Sequence, residues 1–206
     1  MRDEILAAVK GAGVVGAGGA GFPTHIKIDA KVEIVIANDA ECEPLLRAHQ
    51  LIMASESMKM VLGMKTVMLA TGAKRGYIGL KRKYTDAITN LQTAIQAIGG
   101  NEIELFFLPD IYPAGDEHVL VHEVTGRIVP EGGIPLHVGI VVANVETLVN
   151  VANALEGKPV TDKYVTVGGA VRKPITVKVP IGMKVEELIA LAGGALVTPY
   201  AVIDGG

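Results

Sequence analysis

Tryptophan is absent from this chain, and five Tyr and three Phe supply all of its aromatic surface. So small a set leaves few platforms on which the bases of a single strand could stack. No excess of positive charge makes up for that. Nineteen Lys and Arg stand against 22 Asp and Glu, for a net charge of −3. The calculated isoelectric point is about 6.0. A basic nucleic-acid surface is therefore not expected. The single cysteine, Cys42, excludes an intramolecular disulfide. It also excludes a self-contained cysteine-ligated iron–sulfur cluster, which needs several thiolates. No apolar run is long and unbroken enough to span a bilayer, so direct membrane insertion is not expected. The segment Met1-Arg2-Asp3-Glu4 is charged, without the apolar core of a signal peptide. These absences predict a cytoplasmic protein.

What is present is aliphatic. Half of the residues are hydrophobic, which is enough for one substantial domain and a small second one. Short β-branched runs at 32–37, 77–80, 103–108 and 138–143 read as buried strands. Between them, amphipathic stretches at 51–71, 85–98 and 119–125 read as helices, and a further helix is predicted over 145–155. The long helix is expected to break or bend near Gly63. Its face is assigned to Met58, Val61, Leu62, Met68 and Leu69, because Met commonly fills irregular gaps. Strands alternating with helices predict an α/β domain with a mostly parallel sheet flanked by helices. After a linker near 157–162 the pattern changes to a hairpin over 164–179, a helix over 185–191 and a returning strand at 201–203. That order suggests a small β-grasp-like module.

The chain is organised around one stretch, Val14-Val15-Gly16-Ala17-Gly18-Gly19-Ala20-Gly21-Phe22-Pro23-Thr24-His25-Ile26-Lys27. Glycines leave bare N–H groups that a large anionic ligand can approach. A tight turn is the plainer reading, and a lone Gly-x-Gly-x-x-Gly match is weak. The dinucleotide fingerprint is disfavoured, because a helix and not a strand precedes it. Phe22 beside the loop suits a flat ring, and Lys27 could supply positive charge.

Three further loops follow apolar segments, as ligand sites of open α/β sheets do. Asn38, Glu41 and Glu43 form an acidic loop, with Pro44 fixing its exit. Helix capping and cofactor binding are equally open for these residues. Asn144-Val145-Glu146-Thr147 starts a helix, where free N–H groups favour phosphate. An ordinary cap is the alternative there. Tyr112-Pro113-Ala114-Gly115-Asp116-Glu117 is the last. The four loops are expected to line one cleft. His118 and His122 share a helix face beside Glu123, but a third nearby ligand is lacking, so no metal site is predicted. Cys42, lying between two glutamates, is read as non-catalytic.

Four motifs occur in fixed order: Gly16-Ala17-Gly18-Gly19-Ala20-Gly21-Phe22-Pro23-Thr24-His25-Ile26-Lys27, Ala40-Glu41-Cys42-Glu43-Pro44, Tyr112-Pro113-Ala114-Gly115-Asp116-Glu117 and Asn144-Val145-Glu146-Thr147-Leu148. Together they resemble the flavin-binding subunit of respiratory complex I, and more closely its RnfC-like branch. Within that branch, Ala70-Thr71-Gly72-Ala73-Lys74-Arg75 and Val179-Pro180-Ile181-Gly182-Met183 are similar to the cobalamin reductases of propanediol utilisation. The tail is similar to the soluble-ligand-binding β-grasp (SLBB) domain. The resemblance implies a complex I flavin-subunit-like FMN domain over residues 1–157 and an SLBB domain, cut short, over 158–206.

It also implies flavin mononucleotide (FMN) as cofactor, NADH as substrate and hydride donor, and onward electron transfer to 4Fe–4S clusters beyond this segment. Gly16, Gly18, Gly19 and Gly21 would line the flavin. Lys27, Asn38 and Glu41 would contact its ring, ribityl or ribose groups, and Asn144 and Thr147 its phosphate. Phe22, Glu43 and Glu117 would face NADH. No side chain need act as acid or base, since the chemistry sits on the flavin. The implied partners are cobalamin-handling or microcompartment proteins, which adds the interior of a bacterial microcompartment to the expected locations. Ala17, Ala40 and Ala143 depart from the complex I pattern, which carries an arginine, an aspartate and an asparagine there. Two alternatives follow: an RnfC-type subunit of an ion pump, or a binding module that has lost flavin.

Overall fold

The computed structural model describes residues 1–43 and 45–205. Pro44, read above as fixing the exit of the acidic loop, lies outside them. Four strands, β1 (Ile34–Asp39), β2 (Arg75–Lys81), β3 (Ile103–Leu108) and β4 (Ile140–Asn144), form a parallel sheet in the order β3-β2-β1-β4. Parallel neighbours need long crossovers. They are supplied by α3 (Ala48–Ser55), α4 (Ser57–Thr71), α5 (Thr85–Ala97) and α6 (Glu117–Thr125), and α7 (Val145–Leu155) follows β4. α1 (Arg2–Gly11) and the one-turn α2 (Thr24–Lys27) precede the sheet. The strand order reverses beside β1, because β2 lies on one side of it and β4 on the other. That switch point brings the loops after β1 and β4 side by side.

Alternation along β1 divides the core. Val35 and Ala37 face a layer built from α1, α3, α4, α5 and α7, whereas Ile36 faces Leu120 and Val121 of α6. Helices thus cover both faces, as the near-continuous apolar strands require.

The interruption expected at Gly63 falls elsewhere. The helix breaks at Glu56, the residue shared between the end of α3 and the start of α4. Gly63 instead lets α4 press onto α7, since a Cβ there would stand 1.8 Å from the Leu148 carbonyl oxygen. The buried methionines are Met53, Met60, Met64 and Met68, while Met58, Leu62 and Leu69 are exposed. The close approach at Gly63 fixes which face of α4 turns inward. Gly72, in the left-handed conformation, ends the helix.

The tail forms an antiparallel hairpin of β5 (Asp162–Val167) and β6 (Ile175–Pro180), followed by α8 (Val185–Leu191). The strand expected at residues 201–203 is not formed, and Ile203 is 87 % exposed. A three-residue apolar run forms a strand only where it pairs with an edge, and here residues 201–203 pair with none. The hairpin docks on the larger unit by its backbone and side chains. Arg47 N donates to Thr166 Oγ1 at 3.1 Å, and the Tyr164 hydroxyl donates to Glu56 Oε1 at 3.3 Å.

Candidate functional site

The glycine loop is a narrow hairpin. Gly16 N donates to Phe22 O at 2.8 Å, and Val15 bridges Pro23. Gly19 and Gly21 have positive φ, 121° and 63°, which only glycine adopts without strain there. Gly18, Gly19, Gly21 and Phe22 stand exposed at the tip. Phe22 is 50 % exposed.

The loop meets the start of α7. Ala17 N donates to Thr147 Oγ1 at 2.9 Å. A Cβ on Gly18 would lie 3.5 Å from Asn144 Nδ2, so its absence leaves open space against that amide. Asn144 caps α7, its Oδ1 accepting from Glu146 N at 2.9 Å. The cap and the ligand assignment meet in one residue, because one Nδ2 hydrogen is spent on His49 Nε2, 2.9 Å away, and a second remains.

The acidic loop and the loop before α6 are clamped through Gly115. Asn38 Nδ2 donates to Gly115 O at 2.8 Å, and Gly115 N donates to Cys42 Sγ at 3.1 Å. A Cβ on Gly115 would meet Ala40 O at 2.9 Å, so only glycine fits. Cys42 in turn donates to Ala40 O, which gives the thiol a structural task. Lys27 Nζ lies 3.2 Å from Glu117 Oε1, so a cation assigned to the flavin and a carboxylate assigned to NADH are paired with each other. Glu41 is buried and turns both oxygens to α3, accepting from His49 N and Gln50 Nε2, each at 3.2 Å. This is the capping alternative. Burial holds the Glu41 carboxyl above the usual range, and those hydrogen bonds pull it partly back. Glu43 is half-buried on the same loop.

Together the contacts run from Ala17 through Thr147, Asn144 and His49 to Glu41 on one side. On the other they run from Lys27 through Glu117 and Gly115 to Asn38. The result is an open shelf along the C-terminal edge of the sheet. Two open hollows lie away from it. One of about 530 Å³ is lined by Lys81, Arg82, Lys83 and Phe107, and another by His118, His122 and Ile128. Among the described residues no group of three or more His, Cys, Asp or Glu is placed to hold a metal ion.

Sequence reasoning missed Asp39, His49, Glu146 and Lys163. Glu146 is buried, accepting from Tyr164 N at 3.1 Å and pairing with Lys163 Nζ at 2.6 Å. Lys163 also donates to Ala17 O at 3.0 Å, so the hairpin grips the glycine loop. Ala17 is held through both its N–H and its C=O. Only Asp39 carried a local signal, as a charged residue ending a buried strand.

The shelf offers bare amides at the loop, a helix start, an amide hydrogen facing open space and a cation. Those donors fit a phosphorylated ring system rich in acceptor oxygens.

Comparison with known proteins identifies the family. Residues 9–153 match the model of the Nuo51 FMN-binding domain, and residues 164–206 match the SLBB domain. The chain is 49 % identical over 205 residues to the cobalamin reductase PduS of Salmonella typhimurium, covering 99 % of this chain and 45 % of that protein. It is 40 % identical over 211 residues to one of the subunits of the Na+-translocating ferredoxin:NAD+ oxidoreductase complex of Acetobacterium woodii, covering 99 % of this chain and 47 % of that protein. The chain thus spans about half the length of the curated relatives it matches. A crystal structure of an NAD+-reducing NiFe hydrogenase in the air-oxidised state superposes with a TM-score of 0.84 at 28 % identity, over 97 % of this chain and 40 % of that one. No helix among the described residues is long and apolar enough to cross a membrane.

Proposed function

Because this chain belongs to the family of Nuo51 FMN-binding domains, followed by an SLBB domain, we propose that it is the FMN- and NADH-binding core of an electron-transfer flavoprotein. The observation that carries the reading is the meeting of the glycine loop with the start of α7 at Ala17 and Thr147, with Gly18 left open against Asn144. FMN supplies the conversion of a two-electron hydride donor into single-electron output.

The chain's residues bind and orient. The amides of Gly18, Gly19 and Gly21 would line the flavin, with Gly16, its own N–H spent on the Phe22 carbonyl, shaping the loop beside it, and Lys27 and Asn38 would reach its ring and ribityl side. The free Asn144 Nδ2 hydrogen and the Thr147 hydroxyl, which accepts from Ala17 and keeps its own hydrogen, hold the phosphate. Glu41 contributes from beneath by fixing α3. Phe22, exposed and rigidly seated before Pro23, stacks on the nicotinamide dinucleotide, and Glu43 and Glu117 take its hydroxyls. Glu117 also tethers Lys27, which keeps that cation from swinging into solvent.

The onward acceptor is an iron–sulfur cluster of the longer protein, followed by a corrinoid. The 49 % identity to a cobalamin reductase supports the corrinoid as final acceptor. The 40 % identity to a component of an ion-translocating complex supports ferredoxin as the alternative acceptor. Cobalamin-handling or microcompartment proteins are the partners of the first reading, with cytoplasm or microcompartment as its location.

FMN titration of the purified chain, followed by anaerobic NADH, tests the core proposal. Quenched flavin fluorescence and bleaching of the visible band on adding NADH are expected. No binding at high-micromolar FMN would leave the flavin-free binding module as the reading. The full-length protein assayed with a corrinoid and with ferredoxin separates the two acceptors.

A further inference from the structure

Asp39 ends β1 at the switch point with its side chain completely buried, and neither carboxylate oxygen has a hydrogen-bond partner. The facing group is His49, whose Nδ1 lies 3.6 Å from Asp39 Oδ1 and is itself sealed and unpartnered. The His49 side chain as a whole is 24 % exposed, so only its Nδ1 edge is shut away with the carboxyl group.

The opposite edge of the ring fixes the chemistry between them. Asn144 Oδ1 is committed to Glu146 N, so the group turned to His49 is Nδ2, which can only donate. His49 Nε2, 2.9 Å away, must therefore accept. A neutral imidazole that accepts at Nε2 carries its hydrogen at Nδ1, and there it points at Asp39.

We propose that Asp39 and His49 are positioning residues of the flavin site: they hold the imidazole as its Nδ1-protonated tautomer, and so fix the Asn144 amide with its oxygen on the α7 N-terminus and its free N–H toward the space at Gly18. The positioning role rests on the flavin reading, whereas the tautomer does not. A flipped amide would uncap α7 and present an acceptor oxygen to a ligand made of acceptor oxygens. The relay holds whether Asp39 is ionised or neutral, because either form keeps an acceptor oxygen facing Nδ1 across 3.6 Å.

The surrounding charges agree. Burial, helped by the Lys163 cation of β5, pulls His49 down to about 4 and keeps the ring neutral at neutral pH. Burial, helped by the Glu41 charge, pushes Asp39 well above the ordinary carboxylate range. Tyr84, also raised chiefly by burial, feels the Asp39 and Glu41 charges as well.

Two-bond proton–nitrogen NMR of the histidine rings in flavin-free protein at pH 7 tests the tautomer, with His49 assigned by its loss in His49→Gln. A protonated Nδ1 and an unprotonated Nε2 are expected, and the common Nε2-protonated form would overturn the relay. FMN titration tests the positioning role. His49→Gln, whose Oε1 still accepts from Asn144, should keep affinity within about threefold, and His49→Leu should lose roughly tenfold. Equal affinity in both variants would overturn positioning. If wild-type protein ignores FMN, the flavin reading and the positioning role fall together, while the NMR result still decides the tautomer. Should His49→Leu fail to fold, Asp39→Asn and Asp39→Leu make the same comparison, with affinity retained only in the first.

Discussion

Ala17 N and Thr147 Oγ1 stand 2.9 Å apart across 130 residues of sequence. That one bond ties the tip-forming loop to the first turn of α7. Thr147→Val keeps the shape and removes the acceptor, leaving a part-buried N–H unpaired. FMN affinity should fall about tenfold and stability by about 1 kcal/mol, with Thr147→Ser restoring both. Fluorescence titration and urea melts read the two effects.

Phe22 is half exposed and packs on nothing in the core, so its removal should leave the fold intact. Phe22→Ala should raise the KM for NADH between about two- and tenfold, the range of one lost aromatic stack, with FMN affinity unchanged. Steady-state reduction of an artificial acceptor at varied NADH measures it.

Gly63 sits where α4 and α7 touch backbone to backbone. Gly63→Ala places a methyl group 1.8 Å from Leu148 O, and helices cannot yield there without separating. A loss of about 3 kcal/mol or more is expected. Gly11→Ala, which meets nothing within 4 Å, should cost little. Parallel denaturation curves compare the two.

Lys163 donates to Ala17 O and pairs with buried Glu146. Lys163→Met removes both contacts and the cation that acts on His49. The His49 pKa should climb from about 4 toward 6.5, since that charge is one of the two causes holding it down. The Tyr164 amide, bonded to Glu146, should exchange faster. A histidine NMR titration and hydrogen exchange test the pair.

Acid should weaken the protein through His49. Its folded pKa, about 4, lies below the unfolded 6.5, so the unfolded chain binds the extra proton between those values. The stability that neutral His49 provides is present above pH 6.5 and lost as pH falls toward 4, by up to about 3 kcal/mol. Asp39 has the opposite sign: its folded pKa is raised, so its contribution is full below the ordinary value and lost as pH rises through the folded one. The stability difference between wild type and His49→Gln should therefore shrink from pH 7 to pH 4.5. Urea denaturation at the two pH values reads it.

The fold was largely legible in the residues. β-branched runs separated by amphipathic stretches give strands and helices from local pattern alone, and Gly72 and Asn144 mark a stop and a start by their own backbone chemistry. The glycine loop, the acidic loop and the start of α7 could be named as candidates for the same reason. Where an element needed a neighbour, pattern was not enough. The 201–203 run has strand composition but pairs with no strand, and Gly63, read as a break, is instead where α4 presses against α7.

The sequence by itself determined the element types, the parallel sheet and the family motifs, because these depend on periodicity and on residues close together in the chain. Tertiary structure alone decided that Lys27 and Glu117 neutralise one another, that Glu41 is spent on α3, that Lys163 of the hairpin grips Ala17, and that Asp39 faces His49. The first and third join residues that only the strand order β3-β2-β1-β4 or the docking of the tail brings within reach, and the other two set the end of β1 and its loop against the start of α3. A side chain's partner is set by three-dimensional proximity and by competition among donors and acceptors, and neither is written in local pattern.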